Sequence, residues 1–226
     1  MKSAQFAPRG GIAALAIGII GFVAPCQADL ITNNPNLPPD GVYLSPDQVH
    51  AMYTGGALTI VLTAVQHQPF ANETQRQAVG PNEIETFPSS MAGLVSVNNS
   101  PAVPASGMGP VQTMVLGKVG NVTGTFDTEM LSMSIAGTSP FGPFMIRESP
   151  TLPSLGETTI TDLGGGFYNI DSFFDVFTEL SLDGGANWIP DSVGPTRVVL
   201  VPEPSSIGLL GIGLASLLGF GRRRRD

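Results

Sequence analysis

The chain has 226 residues and a net charge of −8, with 18 acidic side chains against ten basic ones. The basic residues gather at the ends: from Asp29 to Val201 there are 16 acids and four bases (Arg76, Lys118, Arg147 and Arg197), a net of −12. A surface of that sign repels nucleic acid and anionic lipid, so nucleic-acid binding is set aside, and a single cysteine, Cys26, excludes an internal disulfide.

Lys2 and Arg9 form a basic start, and Gly10 to Ala24 is an uncharged run of 15 residues. Cys26-Gln27-Ala28 then places small residues at the −3 and −1 positions of a cleavage site between Ala28 and Asp29. This pattern reads as a secretory signal peptide over residues 1–28. A lipoprotein reading with acylated Cys26 fits less well, because Pro25 precedes the cysteine directly. Cleavage after Ala28 removes the cysteine, so the exported chain has neither a thiol nucleophile nor a thiolate metal ligand.

The exported part is long enough for one domain with a core of its own. Its texture is that of an all-β fold: short apolar or alternating runs separated by Gly, Pro, Asn and Ser. The expected architecture is a single β-sandwich-like domain over residues 29–200. Strands are predicted at Leu58 to Val65, Val111 to Val119, Val122 to Ile135, Thr158 to Leu163 and Thr196 to Val201. Within the third, Phe126, Thr128 and Met130 share one parity while Leu131, Met133 and Ile135 share the other, which predicts a β-bulge near Met130-Leu131. Asn33 to Gly41 and Asn98 to Pro110 read as loops by composition, and Gln66 to Ser90 as a long polar stretch.

Asp171 to Leu182 fits either a helix face or a strand face. The charges favour a strand, because Asp171, Asp175, Glu179 and Asp183 would stack as like charges along a helix. The segment runs into Ser181-Leu182-Asp183-Gly184-Gly185-Ala186-Asn187-Trp188, which is similar to an Asp-box. In that motif the carboxylate closes a hairpin turn and the indole packs beneath it. Ser181, Asp183, Gly185 and Trp188 are therefore expected to be structural. One copy in a short chain does not make a propeller of repeated blades.

Candidate catalytic residues are sparse, and no enzyme activity is expected. His50 and His67 lack a third metal ligand at recognisable spacing and read as exposed bystanders. No metal site or cofactor is expected. Ca²⁺ is the one candidate ion, since Asp162, Asp171, Asp175 and Asp183 sit near strand ends, although no D-x-D-x-D-G loop occurs.

The C-terminus carries the most specific signal. Val201-Pro202-Glu203-Pro204-Ser205-Ser206 precedes an uncharged run, Ile207 to Phe220, and four arginines, Arg222 to Arg225. As a helix, residues 205–221 would span roughly 25 Å, the short end for a bilayer crossing. Arg222, Arg223, Arg224 and Arg225 would act as a cytoplasmic stop and leave the preceding domain outside. The three-part order resembles the PEP-CTERM sorting signal, over residues 201–226.

That resemblance implies processing by an exosortase, with Val201, Pro202, Glu203 and Pro204 as the sorting signal, and an association with exopolysaccharide and biofilm. The expected partners are the secretion machinery, the exosortase, the membrane before processing, and exopolysaccharide. The expected path runs from an inner-membrane-anchored precursor with a cytoplasmic C-terminus to the cell surface or extracellular matrix. Two alternatives stay open: a small carbohydrate-binding or carbohydrate-active domain, and a surface protein that remains anchored.

Overall fold

The computed structural model of the chain describes residues 30–201, and these form an all-β domain. The predicted signal peptide and the predicted transmembrane segment, 205–221, lie outside the described residues. Among the described residues no helix is long and apolar enough to cross a membrane.

Fourteen strands follow one another: β1 Leu30–Thr32, β2 Val42–Leu44, β3 Ala51–Gly55, β4 Leu58–Pro69, β5 Gln75–Val79, β6 Asn82–Val97 and β7 Val103–Val115. The second half comprises β8 Gly124–Ser139, β9 Gly142–Glu148, β10 Ser154–Gly164, β11 Phe167–Val176, β12 Thr178–Ser181, β13 Ile189–Pro190 and β14 Thr196–Val201. All their pairings are antiparallel.

The pairings arrange these strands as eight columns, several of them broken: β2 with β3, β4 with β5, then β6, β7 and β8, then β9 with β10, β11 with β12, and β13 with β14, whose line along β11 is continued by β1. Each column neighbours the next in chain order. The last returns to the first, where β14 pairs β2 through Val199↔Leu44 and Val201↔Val42, and Tyr53 bridges Asp191.

The domain is thus an up-and-down barrel, which corrects the expectation of a β-sandwich. Both architectures demand the same alternation of apolar and polar residues along each strand. What separates them is the contact between the first and last columns, roughly the whole domain apart in sequence, which no local pattern encodes. The barrel is apolar inside and polar outside, with Thr125, Asp127, Glu129, Ser132 and Ser134 on the outer face of β8. That polarity is the reverse of a barrel immersed in lipid.

The β7–β8 register passes from Gln112↔Ser132 to Thr113↔Met130, which leaves Leu131 as the extra residue of a bulge. Phe126 and Met130 before it, and Met133 and Ile135 after it, are all buried. The segment from Asp171 is extended, in β11 and β12, with Phe174, Val176 and Leu180 inside.

Two predicted loops are strands instead. Residues 103–110 belong to β7, whose Gly107 and Gly109 let it approach β8: a Cβ on Gly107 would stand 2.7 Å from the Ala136 carbonyl oxygen, and one on Gly109 would collide with that of Ser134. Residues 66–90 hold the end of β4, a 3₁₀ turn at Ala71–Glu73, β5 and half of β6. The inward alternation of β6 is hidden there because two of its core positions are the buried Glu85 and Ser89.

Because neighbouring columns run in opposite directions, the connections segregate. The turns around Gly80, residues 116–123 and Gly165 share one end with the start of β2 and with Val201. The turns around Gly56, Asn98, Pro140 and Asp183 occupy the other end.

Candidate functional site

The barrel interior collects most of the buried polar side chains. Inward positions on successive columns carry Tyr43, Tyr53, His67, Glu85, Ser89, Thr113, Thr128, Thr158, Ser172 and Thr178, and His50 lies just before β3. Many of them line a cavity of about 70 Å³, shared with Phe87, Met91, Val111 and Phe174. That volume admits a few water-sized molecules but not a sugar ring.

Leu37, Pro38 and Pro39, from the segment between β1 and β2, also line the cavity. Arg76 of β5 fixes this segment by donating from Nε and a guanidinium nitrogen to the Leu37 carbonyl, at 2.9 and 2.6 Å. The predicted loop at 33–41 therefore contributes a fixed part of the cavity wall.

Burial makes hydrogen bonding obligatory for these groups. Tyr43 Oη donates to Ser172 Oγ at 3.0 Å, and Ser172 and Thr158 share a bond of 2.7 Å. Tyr53 Oη pairs with Thr178 Oγ1 at 2.8 Å, and Thr113 donates to Glu85 Oε2 at 3.3 Å. Three buried atoms of cavity-lining residues, His50 Nδ1, Glu85 Oε1 and Thr128 Oγ1, have no protein partner. These are the open hydrogen-bonding positions of the site.

The same burial sets the protonation states. His50 and His67, with ring centroids 6.0 Å apart, are pushed down to about 3 and about 4 by desolvation. The Glu85 carboxyl is pushed up to about 8, first by desolvation and then by the neighbouring Glu83. Both tyrosines are raised by burial. At neutral pH the interior therefore holds neutral imidazoles, neutral phenols and a largely protonated carboxyl. The histidines correct the expectation of exposure: His50 is only 5% exposed, and His67 is half-buried on the inner face.

The far end of the barrel has a different character. There a cavity of about 310 Å³ is lined by Leu58, Ile60, Val97, Phe141, Phe144 and Leu182, among others. Its one hydroxyl, Ser139 Oγ, is spent on the Gly142 carbonyl at 3.3 Å. Leu62 lines both cavities and stands between them.

Beside that mouth is the Asp-box-like turn. Asp183 Oδ1 accepts from Ser181 Oγ at 2.8 Å and from the Asn187 amide at 2.9 Å, and Oδ2 accepts from the Asn187 side chain at 2.6 Å. These bonds, the Asn187 amide first, hold the Asp183 carboxyl down at about 2. Gly184 and Gly185 supply positive φ at 72° and 92°. Trp188 lies half-buried with the Arg147 guanidinium stacked 4.0 Å over its ring, while Arg147 also pairs with Glu179 at 2.6 Å.

Among the other carboxylates weighed for Ca²⁺, Asp175 pairs with Arg197 at 2.7 Å and Asp162 accepts from the Gly164 amide at 2.7 Å. Among the described residues no group of three or more His, Cys, Asp or Glu side chains converges as metal ligands.

Of the sorting residues, Val201 is the last of β14 and pairs with Val42. Pro202, Glu203, Pro204 and Arg222 to Arg225 lie outside the described residues, as do Ala28 and Asp29. Sequence reasoning missed His50, His67 and Glu85 as interior groups. The alternation of Glu85 with Phe87, Ser89 and Met91 was the available signal for the last of these.

No curated protein and no solved structure matches the chain. A family model described as the PEP-CTERM protein-sorting motif matches residues 200–225, so its first two positions, Leu200 and Val201, belong to the final strand of the barrel. The C-terminal tail is a PEP-CTERM sorting motif, and it marks the chain as an exported protein sorted by an exosortase.

Proposed function

We propose that this is a non-enzymatic surface or matrix protein, in which an eight-column barrel is the cargo and the C-terminal tail a removable handle. The observation that carries the reading is the junction: β14 ends at Val201 and the sorting motif begins within it, so the barrel is delivered with no further folded unit between cargo and signal. In the precursor the apolar run Ile207 to Phe220 holds the protein at the membrane, and cleavage falls at or near the motif, beyond the strand in which Val201 pairs with β2.

Support for a non-enzymatic role comes from the interior, where Glu85 is the one carboxyl lining the cavity and the hydroxyls are largely bonded to one another. A glycoside hydrolase uses two carboxyls across an open cleft. The reading requires no cofactor and keeps exopolysaccharide as the partner in the matrix.

Mass spectrometry of the exported protein from cells with and without a functional exosortase tests the handle. The expected mature chain retains Val201 and lacks Arg222 to Arg225 only where the enzyme works. A mature chain ending in Asp226 in both strains refutes processing. Incubation with the exopolysaccharide of the same cells tests the role: co-sedimentation with unchanged polymer length is expected, and depolymerisation overturns it.

A further inference from the structure

The end of the barrel from which Val201 emerges carries an apolar collar. Its three turns read V-G-P-N from Val79, L-G-K-V-G-N-V-T from Leu116 and L-G-G-G-F from Leu163. They expose Val79, Leu116, Val119, Val122, Leu163 and Phe167, the last three each more than half exposed. Ile31 of β1, paired beside Asn169 near the same end, is 62% exposed.

Scattered surface hydrophobics need no explanation, but several on successive tips of one end form a surface. The only ionisable residue in the three tips, Lys118, is folded inward. It is 8% exposed, its Nζ donates to the Asn121 carbonyl at 2.9 Å, and it lies 5.4 Å over the Phe126 ring. The tips therefore present mainly apolar side chains; the nearest exposed carboxylate, Asp162, precedes Leu163 and is bonded back to the Gly164 amide.

The occupant follows from where the chain goes next. Val201 leaves at this end, and only Pro202 to Ser206 separate it from the uncharged run that starts at Ile207. Six residue steps reach at most roughly 20 Å. A bilayer that takes up the run thus lies within that distance of Val201, which the register sets level with Asp171, and the turn tips project beyond Val201 on the same side.

We propose that in the precursor the collar of turns around Val79, Val122 and Phe167 rests in the interfacial layer of the membrane that holds the tail. The barrel then stands upright with its apolar mouth, at Phe141 and Leu182, turned away from the lipid. The inference rests on the reading of the tail as a membrane anchor. Because the exported domain is strongly acidic, contact is made by apolar side chains and favours zwitterionic over anionic lipid.

The test uses the full-length chain with Cys26→Ser and one fluorophore-labelled cysteine, reconstituted in phosphatidylcholine vesicles with lipid-borne nitroxide quenchers. Labels are placed by Phe167→Cys on the collar, Phe141→Cys at the opposite mouth and Leu214→Cys in the apolar run. The collar and tail labels should each lose at least roughly half their emission, while the Phe141→Cys label loses little. The single native tryptophan, Trp188, lies at the mouth end and should stay unquenched in the unlabelled chain. Quenching at Leu214→Cys without quenching at Phe167→Cys overturns the collar and leaves the anchor standing. An unquenched Leu214→Cys label overturns both. A Phe167→Cys label that is shielded from aqueous iodide but untouched by lipid quenchers assigns the collar to a protein surface and refutes the proposal.

Discussion

Glu85 offers the sharpest check on the barrel interior, through the replacement Glu85→Gln. The glutamine keeps the size and shape of a protonated glutamate and cannot ionise. In the folded wild type the carboxyl titrates at about 8 because it is 1% exposed and faces Glu83, with Arg76 opposing the shift. In the unfolded chain it titrates at the ordinary value of 4.5. The native state therefore keeps a proton that the unfolded state has lost between those two values. The corresponding stability is complete below the unfolded pKa and is lost as pH rises through the folded one.

The slope is about 1.4 kcal/mol per pH unit, so moving from pH 5 to pH 8 costs the wild type about 4 kcal/mol from this group. Glu148, pushed up to about 7 chiefly by desolvation, acts in the same direction. The depressed histidines act in the opposite one, since they lose stability as pH falls below their ordinary range. Comparing Glu85→Gln with wild type cancels these shared contributions. Urea denaturation followed by far-UV circular dichroism at pH 5, 6, 7 and 8 should show the variant's advantage widening by about 4 kcal/mol, or about 2 M in midpoint at a typical slope. Parallel curves within about 1 kcal/mol would mean that Glu85 is ionised or hydrated in the native barrel, and the account of a neutral interior would fail.

Three other perturbations test separate parts of the structure. Gly109→Val drives a side chain into the Ser134 carbonyl and should destabilise the barrel by about 3 kcal/mol or more, measured as a lowered urea midpoint; an unchanged midpoint would contradict the close β7–β8 approach. Arg147→Ala removes both the stack on Trp188 and the pair with Glu179, and should cost about 1–2 kcal/mol in thermal unfolding, with Arg147→Lys restoring only part of it. Glu203→Ala should leave the circular dichroism spectrum of the exported domain unchanged while the mature mass retains the tail; normal trimming would make the glutamate a spacer.

The sequence made some levels of this structure legible and concealed others for identifiable reasons. The bulge at Leu131 was readable because a parity switch is local, with the buried residues on both sides apolar. The extended segment from Asp171 was readable because its charges repeat at a spacing that a helix penalises, and two of them, Asp175 and Glu179, are matched by Arg197 and Arg147 on neighbouring strands. Residues 66–90 were opaque because the interior there is polar. Glu85 and Ser89 occupy core positions through hydrogen bonds and altered protonation, neither of which alternation of hydropathy can register. His50 and His67 were misplaced for the same reason: a lone histidine in a polar context is typical of a surface, and its burial depends on columns that meet only when the barrel closes.

Column parity links the cargo to its signal. In an up-and-down barrel each column reverses the chain, so an even number returns the last strand antiparallel to the first and leaves both described ends at one rim. Here β14 pairs β2, and Val201 stands opposite Val42. An odd number would have brought Val201 out beside the apolar mouth at Phe141 and Leu182. The eight-column closure instead brings Val201, the Leu37 segment and the apolar turn tips to one end. The opposite end holds the larger apolar cavity and the hydrogen-bonded Asp183 turn. Every pairing of the sheet lies at or before Val201, so the fold described here uses none of the residues that follow it.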